Sequence, residues 1–531
     1  MLHAVRAQLA RIWILQGKMG SFTGLRIPVS GPRGFALLCL GLCLVLVIVD
    51  RWLVLHHFAF KYVDDDQSIM WYGAREMAQG RFHEPCFYGQ RYNTMLEALI
   101  AVPLLWLGVS PAIALPVATS ALILFPFLLV AFLLFRKGAE WQALIVLAFP
   151  VFLSPEFGMV SSMPRGFVGG IFLSSFSVLP LFSSRPGGFA LATFFSGLAL
   201  IVNPNAALVI IPVGVLALIR HRTDPRFYWS SIMGSLPALV IHLLVQRFYD
   251  VHPDHVVHQA WALTFDLADI QWSDIRYLDA ISPVVWGQGA FVFVAGVALT
   301  ILLVMYCRWD AVLGLVVGSV LIVLSFGINK VNDGTASVFY PWARMFLGVP
   351  FLFAVIVSRV PLPTFRGGLS SFMSITAAFF LYKGAVAGKV MEDRVMKDEQ
   401  NVMEVRTVSD LTEHCLRVDQ AARKHDVDLL IVSWGVNKHL TTYACPCLVS
   451  GFPMTMEPHL DRRTWWLRTV GAHVPRNVLF SGIEEKAIRS MSVPYASMVK
   501  VSDSPELFLL KDVRERTDSM LHHMGIGMRD H

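Results

Sequence analysis

Long apolar runs, separated by short polar or charged segments, repeat along most of the chain. About 20 consecutive apolar residues in an α-helix cross the hydrocarbon layer of a bilayer. Runs near that length occur at 35–56, 96–135, 139–154, 166–183, 188–202, 205–219, 228–247, 286–307, 311–328, 342–358 and 369–388. The pattern predicts a polytopic α-helical membrane protein with 11 to 13 transmembrane helices. We expect the long run at 96–135 to form a tilted or partly re-entrant segment followed by one full span.

Basic residues gather in alternate connections between these runs. They lie in the arm 1–33, at Arg136 and Lys137, at Arg185, at Arg220, Arg222 and Arg226, at Arg308, and at Arg359 and Arg366. Because cytoplasmic loops are enriched in Lys and Arg, alternation places 57–95, 155–165, 249–285, 329–341 and the C-terminal tail on the other side. We therefore predict a cytoplasmic basic arm at 1–33 and a membrane domain at 34–388, with 57–95 as its first outer loop.

The pattern changes at residue 389. A charged stretch leads to a helical segment around 404–425, and short apolar runs at 428–433, 477–481 and 507–510 predict strands. Alternating helices and strands indicate a small extracytoplasmic α/β domain at 389–531. It has no Gly-rich phosphate loop, so we interpret it as an accessory domain with little catalytic content. A disulfide from Cys415 to Cys445 or Cys447 is one alternative in an oxidising compartment.

Composition supports the membrane assignment. Apolar residues make up 55% of the 531 positions and charged residues 15%, with a net charge of +6. Soluble globular chains carry about 25% charged residues, so most of this chain is expected in lipid. Because the basic residues lie in short loops, the positive charge indicates topology, and we expect membrane lipids rather than nucleic acid as partners.

The first outer loop contains the most informative polar residues. Asp64, Asp65 and Asp66 follow the first apolar run by about ten residues. Carboxylates are costly near hydrocarbon, but in a loop beside the bilayer they can act as a base or anchor a cation. Residues 67–79 mix apolar and polar positions and end at Gly80, which predicts a short amphipathic helix lying on the membrane surface.

The same loop resembles a known family. The acidic residues, then Arg75-Glu76-Met77, Gly80, Pro85 and Gly89 with Tyr92, are similar to the first loop of the GT-C superfamily of polyprenyl-phosphate-sugar-dependent glycosyltransferases. The relevant branch includes bacterial aminoarabinose lipid A transferases and protein O-mannosyltransferases. The resemblance is strongest over 60–110 and looser over the polytopic architecture and outer C-terminal domain.

The resemblance implies a GT-C-like fold, a polyprenyl-phosphate sugar as donor, and a location in the bacterial inner membrane with the outer loops on the periplasmic or extracellular side. A loop aspartate would be the catalytic base or position the acceptor, with Asp66 the best match and Asp65 the second. The chain departs from the family at Gln67, where a second acid is common. It departs again at 93–95, where lysine and paired prolines are common. These departures leave a glycolipid, a polysaccharide and a protein open as acceptors.

Other polar residues near the predicted outer face are candidate substrate contacts. Arginine geometry suits phosphate, so Arg165 and Arg344 are expected to converge on one cavity and steady the departing phosphate. Glu97, at the mouth of an apolar run, is expected to face the same cavity. Snorkelling at a helix end stays open for Arg165 and Arg344, and a carboxylate at a helix start, favoured by the helix dipole, stays open for Glu97. Asp64, Arg75 and Tyr92 complete the set of predicted substrate-binding residues, and Glu156 is the expected ion-pair partner of Arg165.

Two further questions remain open at this stage. His252, Asp254, His255 and His258 have spacing similar to metal ligands, but loop histidines without a firm fourth ligand rarely form a site. We predict no metal centre and leave a divalent cation at the aspartates open. The alternative function is a transporter or flippase of a lipid-linked glycan, which predicts internal repeats and broken helices near the midplane. No internal repeat is apparent in the sequence.

Overall fold

The fold was analysed in a computed structural model of the chain. The structure describes residues 32–257, 264–285, 287–329, 331, 344–362, 366–399, 405–433, 438–482 and 498–528. Its N-terminal part is a bundle of α-helices. These are α1 Pro32–Val54, α2 Asp65–Ala78, α3 Leu96–Trp106, α4 Pro111–Arg136, α5 Glu140–Phe152, α6 Pro155–Ser162, α7 Val168–Ser174, α8 Pro186–Val202, α9 Ala207–His221, α10 Pro225–Val251, α11 Ala290–Met305, α12 Trp309–Ser325, α13 Val349–Val357 and α14 Arg366–Glu399.

Several of these helices are long and apolar enough to cross a bilayer. Within the described ranges, five helical segments have the length and hydropathy of a full span: Arg33–Ala59, Pro111–Arg136, Pro204–His221, Pro225–Val251 and Gly367–Lys397. Six shorter apolar helices accompany them. Helix α10 turns most of its surface outward, with Leu239, Leu243 and Leu244 each more than half exposed. Such a continuous apolar surface is rare on soluble proteins, and the chain is an integral membrane protein.

The long apolar run at 96–135 forms two helices of unequal length, as expected. Helix α3 has 11 residues and contains Pro103, whereas α4 has 26 residues. A helix rises about 1.5 Å per residue, so α3 is too short to cross the hydrocarbon layer and α4 is long enough. Gly108 adopts a positive φ in the turn between them. The run therefore contributes a short segment and one full span.

Two ion pairs lie together at one end of the bundle. At one end, Arg33 lies 3.7 Å from Glu140, and Arg359 lies 2.9 Å from Asp310. The first pair joins the start of α1 to the start of α5, and the second joins the start of α12 to the segment after α13. Both pairs lie at the basic connections predicted to be cytoplasmic. The opposite end contains the three aspartates and the C-terminal domain.

The C-terminal domain contains one five-stranded sheet with helices on both faces. Its elements are α15 Val408–Lys424, β3 Leu429–Val432, α16 Cys445–Leu448, β4 Met454–Met456, α17 Thr464–Ala472, β5 Val478–Ser481, β6 Met498–Asp503, β7 Glu506–Leu510 and α18 Thr517–His523. The strand order is β4-β3-β5-β7-β6, with β3 parallel to β4 and β5, and β7 antiparallel to β5 and β6. The helix and the three strands predicted from sequence are all present. Cys415 and Cys445 form a disulfide.

Strand alternation explains the two apolar layers of this domain. Leu430, Val432, Leu479, Leu507 and Leu509 face α15, and the intervening residues face α17 and α18. Side chains alternate between the faces of a strand, so the continuous apolar runs of β3, β5 and β7 indicate a sheet covered on both sides.

A second, two-stranded sheet ties the first outer loop to the C-terminal domain. Strand β1 Tyr62–Val63 pairs antiparallel with β2 Arg406–Thr407. Helix α14 runs through residue 389, where the composition changes, and ends shortly before β2. The aspartates begin one residue after β1, so their position depends on this pairing.

Candidate active site

The three aspartates lie at the N-terminus of α2, where each has a different environment. The Asp64 side chain caps the helix by accepting from the Gln67 backbone N–H at 2.9 Å. Its other carboxylate oxygen forms an ion pair with Arg165, and both side chains are buried. Asp64 is therefore fully committed to protein contacts, and it orients the first turn of α2.

Asp66 is the aspartate that meets Arg344. Its Oδ2 lies 3.1 Å from Nη1 of Arg344, and its side chain keeps 25% of its exposure. The Arg344 guanidinium also lies over the Phe167 ring, with 5.2 Å from Cζ to the centroid. Arg165 and Arg344, far apart in sequence, thus contact aspartates two residues apart. The structure brings these two arginines to one place, and it sets Arg165 against Asp64.

The electrostatic surroundings favour an ionised Asp66. Burial by itself would raise the pKa of this carboxyl group, but the charges of Arg344 and Arg462 and the Arg344 hydrogen bond outweigh it. Together with His439, they lower the pKa below its ordinary value. The pKa of Tyr92 is raised, first by burial and then by the charge of Asp66. Tyr92 therefore belongs to the surroundings of Asp66.

Glu97 has a different position from the one expected. Its carboxylate is completely buried and accepts from the backbone N–H groups of Gly166, Val168 and Gly169 at 2.8, 2.8 and 3.2 Å. Because the first N–H groups of a helix have no intrahelical partner, this carboxylate caps α7. It holds the loop that carries Arg165 rather than lining a substrate cavity.

Three asparagines complete the support of both arginines. Asn93 donates to the Arg165 carbonyl oxygen at 2.9 Å, and Asn203 donates to Oδ1 of Asn93 at 3.1 Å. The Asn205 amide lies 3.2 Å from the carbonyl oxygen of Arg344. Sequence reasoning missed this role, because Asn203-Pro-Asn205 is also typical of a simple helix junction.

Two other expected residues lie elsewhere. Arg75 donates to the Pro446 carbonyl oxygen at 2.6 Å, which joins α2 to the C-terminal domain on the side away from the helix N-terminus. Glu156 pairs with Arg394 at 2.7 Å, so the expected Glu156–Arg165 pair was wrong.

Helix α2 does not lie on the membrane surface, because Ile69, Met70 and Trp71 are buried in a core shared with the C-terminal domain.

The C-terminal domain contributes two side chains that the sequence gave no reason to choose. His439 Nδ1 lies 3.0 Å from Oε1 of Glu457. Burial would lower the pKa of His439, but Glu457 and the charge of Asp65 raise it. Arg462 is near enough for its charge to act on Asp66, Tyr92 and His439. The domain therefore forms part of the site.

Two neighbouring cavities open beside this cluster. One, of about 570 Å³, is lined by Tyr92, Phe167 and Met345 and by apolar residues of α9 and α12. The second, of about 430 Å³, lies between α8 and α10, with Gly197, Leu200 and Leu239 in its wall. Arg91, Tyr92, Pro204 and Gln246 line both cavities. Tyr92, which lies in both walls, is also the residue whose pKa the charge of Asp66 raises.

Among the residues that the structure describes, no group of three or more His, Cys, Asp and Glu side chains is arranged to hold a metal ion. His258, from the histidine-containing segment considered above, lies outside the described residues. His255 instead lies 3.8 Å from Glu84, to which Tyr249 also donates at 3.2 Å.

The long apolar helices of the bundle define an integral membrane protein, with the polar cluster and the α/β tail at one end of it. Two solved structures share this fold. ArnT from Cupriavidus metallidurans bound to undecaprenyl phosphate matches with a TM-score of 0.53 and 12% identity over 88% of this chain and 98% of that one. The apo state of ArnT matches with a TM-score of 0.53 and 11% identity over 88% and 97%.

These matches cover nearly the whole length of ArnT, and they confirm the predicted fold. It is a polytopic helical membrane domain followed by a small C-terminal α/β domain, as in ArnT. At 12% identity, the likeness is one of fold. Neither a protein-family model nor a curated protein matches the sequence.

Proposed function

We propose that the protein is an integral-membrane glycosyltransferase that moves a sugar from a polyprenyl-phosphate donor to an extracytoplasmic acceptor. The observation that carries this proposal is the position of Asp66. Its partly exposed carboxylate is held by Arg344 and is near enough to Tyr92 to raise the pKa of that residue, and Tyr92 lines an apolar cavity of about 570 Å³. Ligand sites are commonly apolar clefts with a few placed polar groups. The fold shared with a protein crystallised with undecaprenyl phosphate supports a lipid-linked donor.

In the proposed reaction, the acceptor oxygen bonds to the anomeric carbon while the bond from that carbon to the donor phosphate oxygen breaks. Asp66 takes the acceptor proton, and the electron pair of the broken bond stays on the polyprenyl phosphate. Arg344 holds the Asp66 carboxylate and places positive charge beside the leaving phosphate. Asp65 is the second candidate for the base. Asp64 and Arg165 shape the turn that presents both.

We also propose that the reaction takes place outside the cytoplasm. The aspartates lie at the end of the bundle opposite the basic connections, and basic connections are typical of the cytoplasmic side. Disulfides persist in oxidising compartments, which fits the Cys415–Cys445 pair in the C-terminal domain. Because Asp64 and Asp66 are each neutralised by an arginine, we propose a transfer that continues in the presence of EDTA. The proposal covers a glycolipid, a polysaccharide or a protein as the acceptor.

The test is Asp66→Asn in purified protein reconstituted into proteoliposomes with a polyprenyl-phosphate sugar and native acceptors. Asparagine keeps the size of the side chain but cannot take the proton, so transfer should fall by about 10²–10⁴-fold. The matched control is Asp266→Asn, an exposed helix cap in another outer segment, which should retain full activity. Full transfer by Asp66→Asn, by Asp65→Asn and by the double variant would exclude an aspartate base.

A further inference from the structure

The segment Asp461-Arg462-Arg463 of the C-terminal domain is held rigidly against the first outer loop. The Arg463 guanidinium is completely buried and binds Asp461 through Nε and Nη2 at 2.9 and 2.7 Å. Tyr443 donates to Asp461 at 3.0 Å and accepts from the Arg462 backbone N–H at 2.8 Å. The Arg463 Cζ also lies 4.7 Å from the ring centre of Tyr72, on α2. Arg462 therefore projects from a fixed backbone.

The side chain of Arg462 packs onto the loop that leads from α2 to Tyr92. Its Cζ lies 5.7 Å from the centre of the Phe87 ring. A Cβ at Gly89 would come within 3.1 Å of the Arg462 Cβ, and Gly89 has a φ of +76°. A glycine at this point lets the two segments approach closely. The guanidinium is thereby directed to the neighbourhood of Tyr92 and Asp66.

Charge pairing distinguishes Arg462 from the other ionic groups of the cluster. Asp64 pairs with Arg165, Asp66 with Arg344, Asp461 with Arg463, and Glu457 with His439. Nε and Nη1 of Arg462 are buried, and they have no hydrogen-bond partner among the residues that the structure describes. Burying these donors without hydrogen-bond partners costs free energy, and Asp66, the carboxylate whose pKa the charge of Arg462 lowers, is already paired with Arg344. An anionic ligand that binds these donor groups would explain why an arginine is present at this position.

We propose that Arg462 binds the phosphate of the lipid-linked donor, so that the C-terminal domain completes the active site. This inference rests on the proposed glycosyl transfer and assigns the domain a part in it. Guanidinium groups suit phosphate because their N–H donors match its oxygens in a planar, two-point geometry. Arg462 approaches from the aqueous side, whereas Arg344 approaches from the bundle. The phosphate lies between them, and the prenyl chain extends into the apolar cavities lined by Tyr92.

The test measures binding of geranylgeranyl phosphate, with geranylgeraniol as its uncharged counterpart, to the full-length protein in lipid nanodiscs. The variant is Arg462→Met, which keeps an unbranched apolar side chain over Phe87 but removes the charge. One charge-assisted hydrogen bond corresponds to about 10- to 100-fold in affinity. We expect Arg462→Met to bind the phosphate more weakly by this factor and to bind the alcohol as wild type does. The matched control is Arg476→Met, an exposed arginine of the same domain with 74% of its side chain accessible, and it should leave both affinities unchanged.

Thermal unfolding of the same samples separates a binding role from a structural one. Removing a buried cation that lacks a partner should leave the melting temperature unchanged or higher, because its desolvation is no longer opposed to folding. Weaker phosphate binding with undiminished stability supports the proposal. Unchanged phosphate binding overturns it, and loss of stability together with loss of alcohol binding assigns Arg462 a structural role instead.

The two proposals fail in different ways. If wild type prefers the phosphate and Arg462→Met retains that preference, Arg462 is not a phosphate ligand, while a glycosyltransferase with Asp66 as its base remains in place. If wild type binds the phosphate and the alcohol equally, the lipid-phosphate donor itself is wrong. Arg462→Lys adds a gradation: it keeps the charge without the planar pair of donors, so its affinity should lie between those of wild type and Arg462→Met.

Discussion

The Asp64 carboxylate and the Arg165 guanidinium form an ion pair with both side chains excluded from solvent, at 0% and 2% exposure. The pair joins the cap of α2 to the loop before α7. Burying two charges is costly, so the pair contributes to stability mainly because each partner would otherwise remain buried and uncompensated.

Breaking this pair should therefore reduce stability strongly. Asparagine retains the helix-capping oxygen, so Asp64→Asn removes the charge alone, and we expect a loss of about 3–5 kcal/mol in the free energy of unfolding. The double variant Asp64→Asn/Arg165→Gln should lose less than the sum of the single variants, as denaturant titration in detergent would measure. Arg81→Gln serves as the comparison, because it breaks the ion pair with Glu76 at a site where the arginine side chain is 53% exposed. Equal losses at the two sites would contradict the buried-pair interpretation.

Glu97→Gln should act on the loop that carries Arg165 rather than on substrate affinity. The amide would turn a donor toward backbone N–H groups that need an acceptor, at a cost of about 1–3 kcal/mol. We expect a lower melting temperature together with a lower kcat, as Arg165 and the α2 turn shift, and a KM for the donor close to that of wild type. Glu140→Gln, at the opposite end of the bundle, should change neither constant. A raised KM at unchanged stability would instead make Glu97 a substrate ligand.

Stability should also depend on pH through Glu84. Burial raises the pKa of this carboxyl group to about 7, against the opposing effects of the nearby His255 and of the hydrogen bond from Tyr249. A folded-state pKa above the unfolded value of 4.5 means that the folded protein binds the proton more tightly. The stabilisation is complete below the unfolded pKa and is lost as the pH rises to about 7.

The expected loss is at most on the order of 3 kcal/mol over this pH interval. Melting temperatures recorded from pH 4.5 to 8 should fall for wild type and should change much less for Glu84→Gln. Identical pH profiles for the two proteins would show that Glu84 does not titrate in this interval.

The orientation of the chain can be tested with one native cysteine and one introduced cysteine. Cys307 is exposed at the turn between α11 and α12, beside Arg308, on the end we propose as cytoplasmic. Arg476→Cys introduces a thiol on the exposed surface of the C-terminal domain. In intact cells, a membrane-impermeant maleimide should label Arg476→Cys and leave Cys307 unlabelled, and permeabilised cells should show both. The reverse pattern would place the aspartates in the cytoplasm.

The sequence was most informative where a local pattern determines structure. Apolar runs located the helices, and Leu429–Val432 and Glu506–Leu510 were recognisable as strands because both faces are buried. The apolar strip Met454–Met456 was missed because three residues show no periodicity. The aspartate triplet, Arg165 and Arg344 were found because charged groups beside a membrane are costly and therefore noticeable.

Sequence could not determine which way a polar side chain turns after the chain folds. Glu97 and Arg75 are residue types that often bind ligands. In the structure, however, Glu97 accepts hydrogen bonds from backbone N–H groups, and Arg75 donates to a backbone carbonyl oxygen. Arg462 lies nearly 400 residues after Asp66 in a domain interpreted as accessory. No spacing rule connects two such positions, because only the folded interface between the domains brings them together.

The pairing of β1 with β2 also constrains the order in which the protein is made. Tyr62 and Val63 find their partners only when the chain has been synthesised as far as residue 407 of 531. The membrane helices leave the ribosome before that point, so insertion precedes the final alignment of the aspartates. A nascent chain stopped just after α14 would already be anchored in the bilayer but would lack the strand that aligns the aspartates, so the proposed transfer could not begin before the C-terminal domain is made.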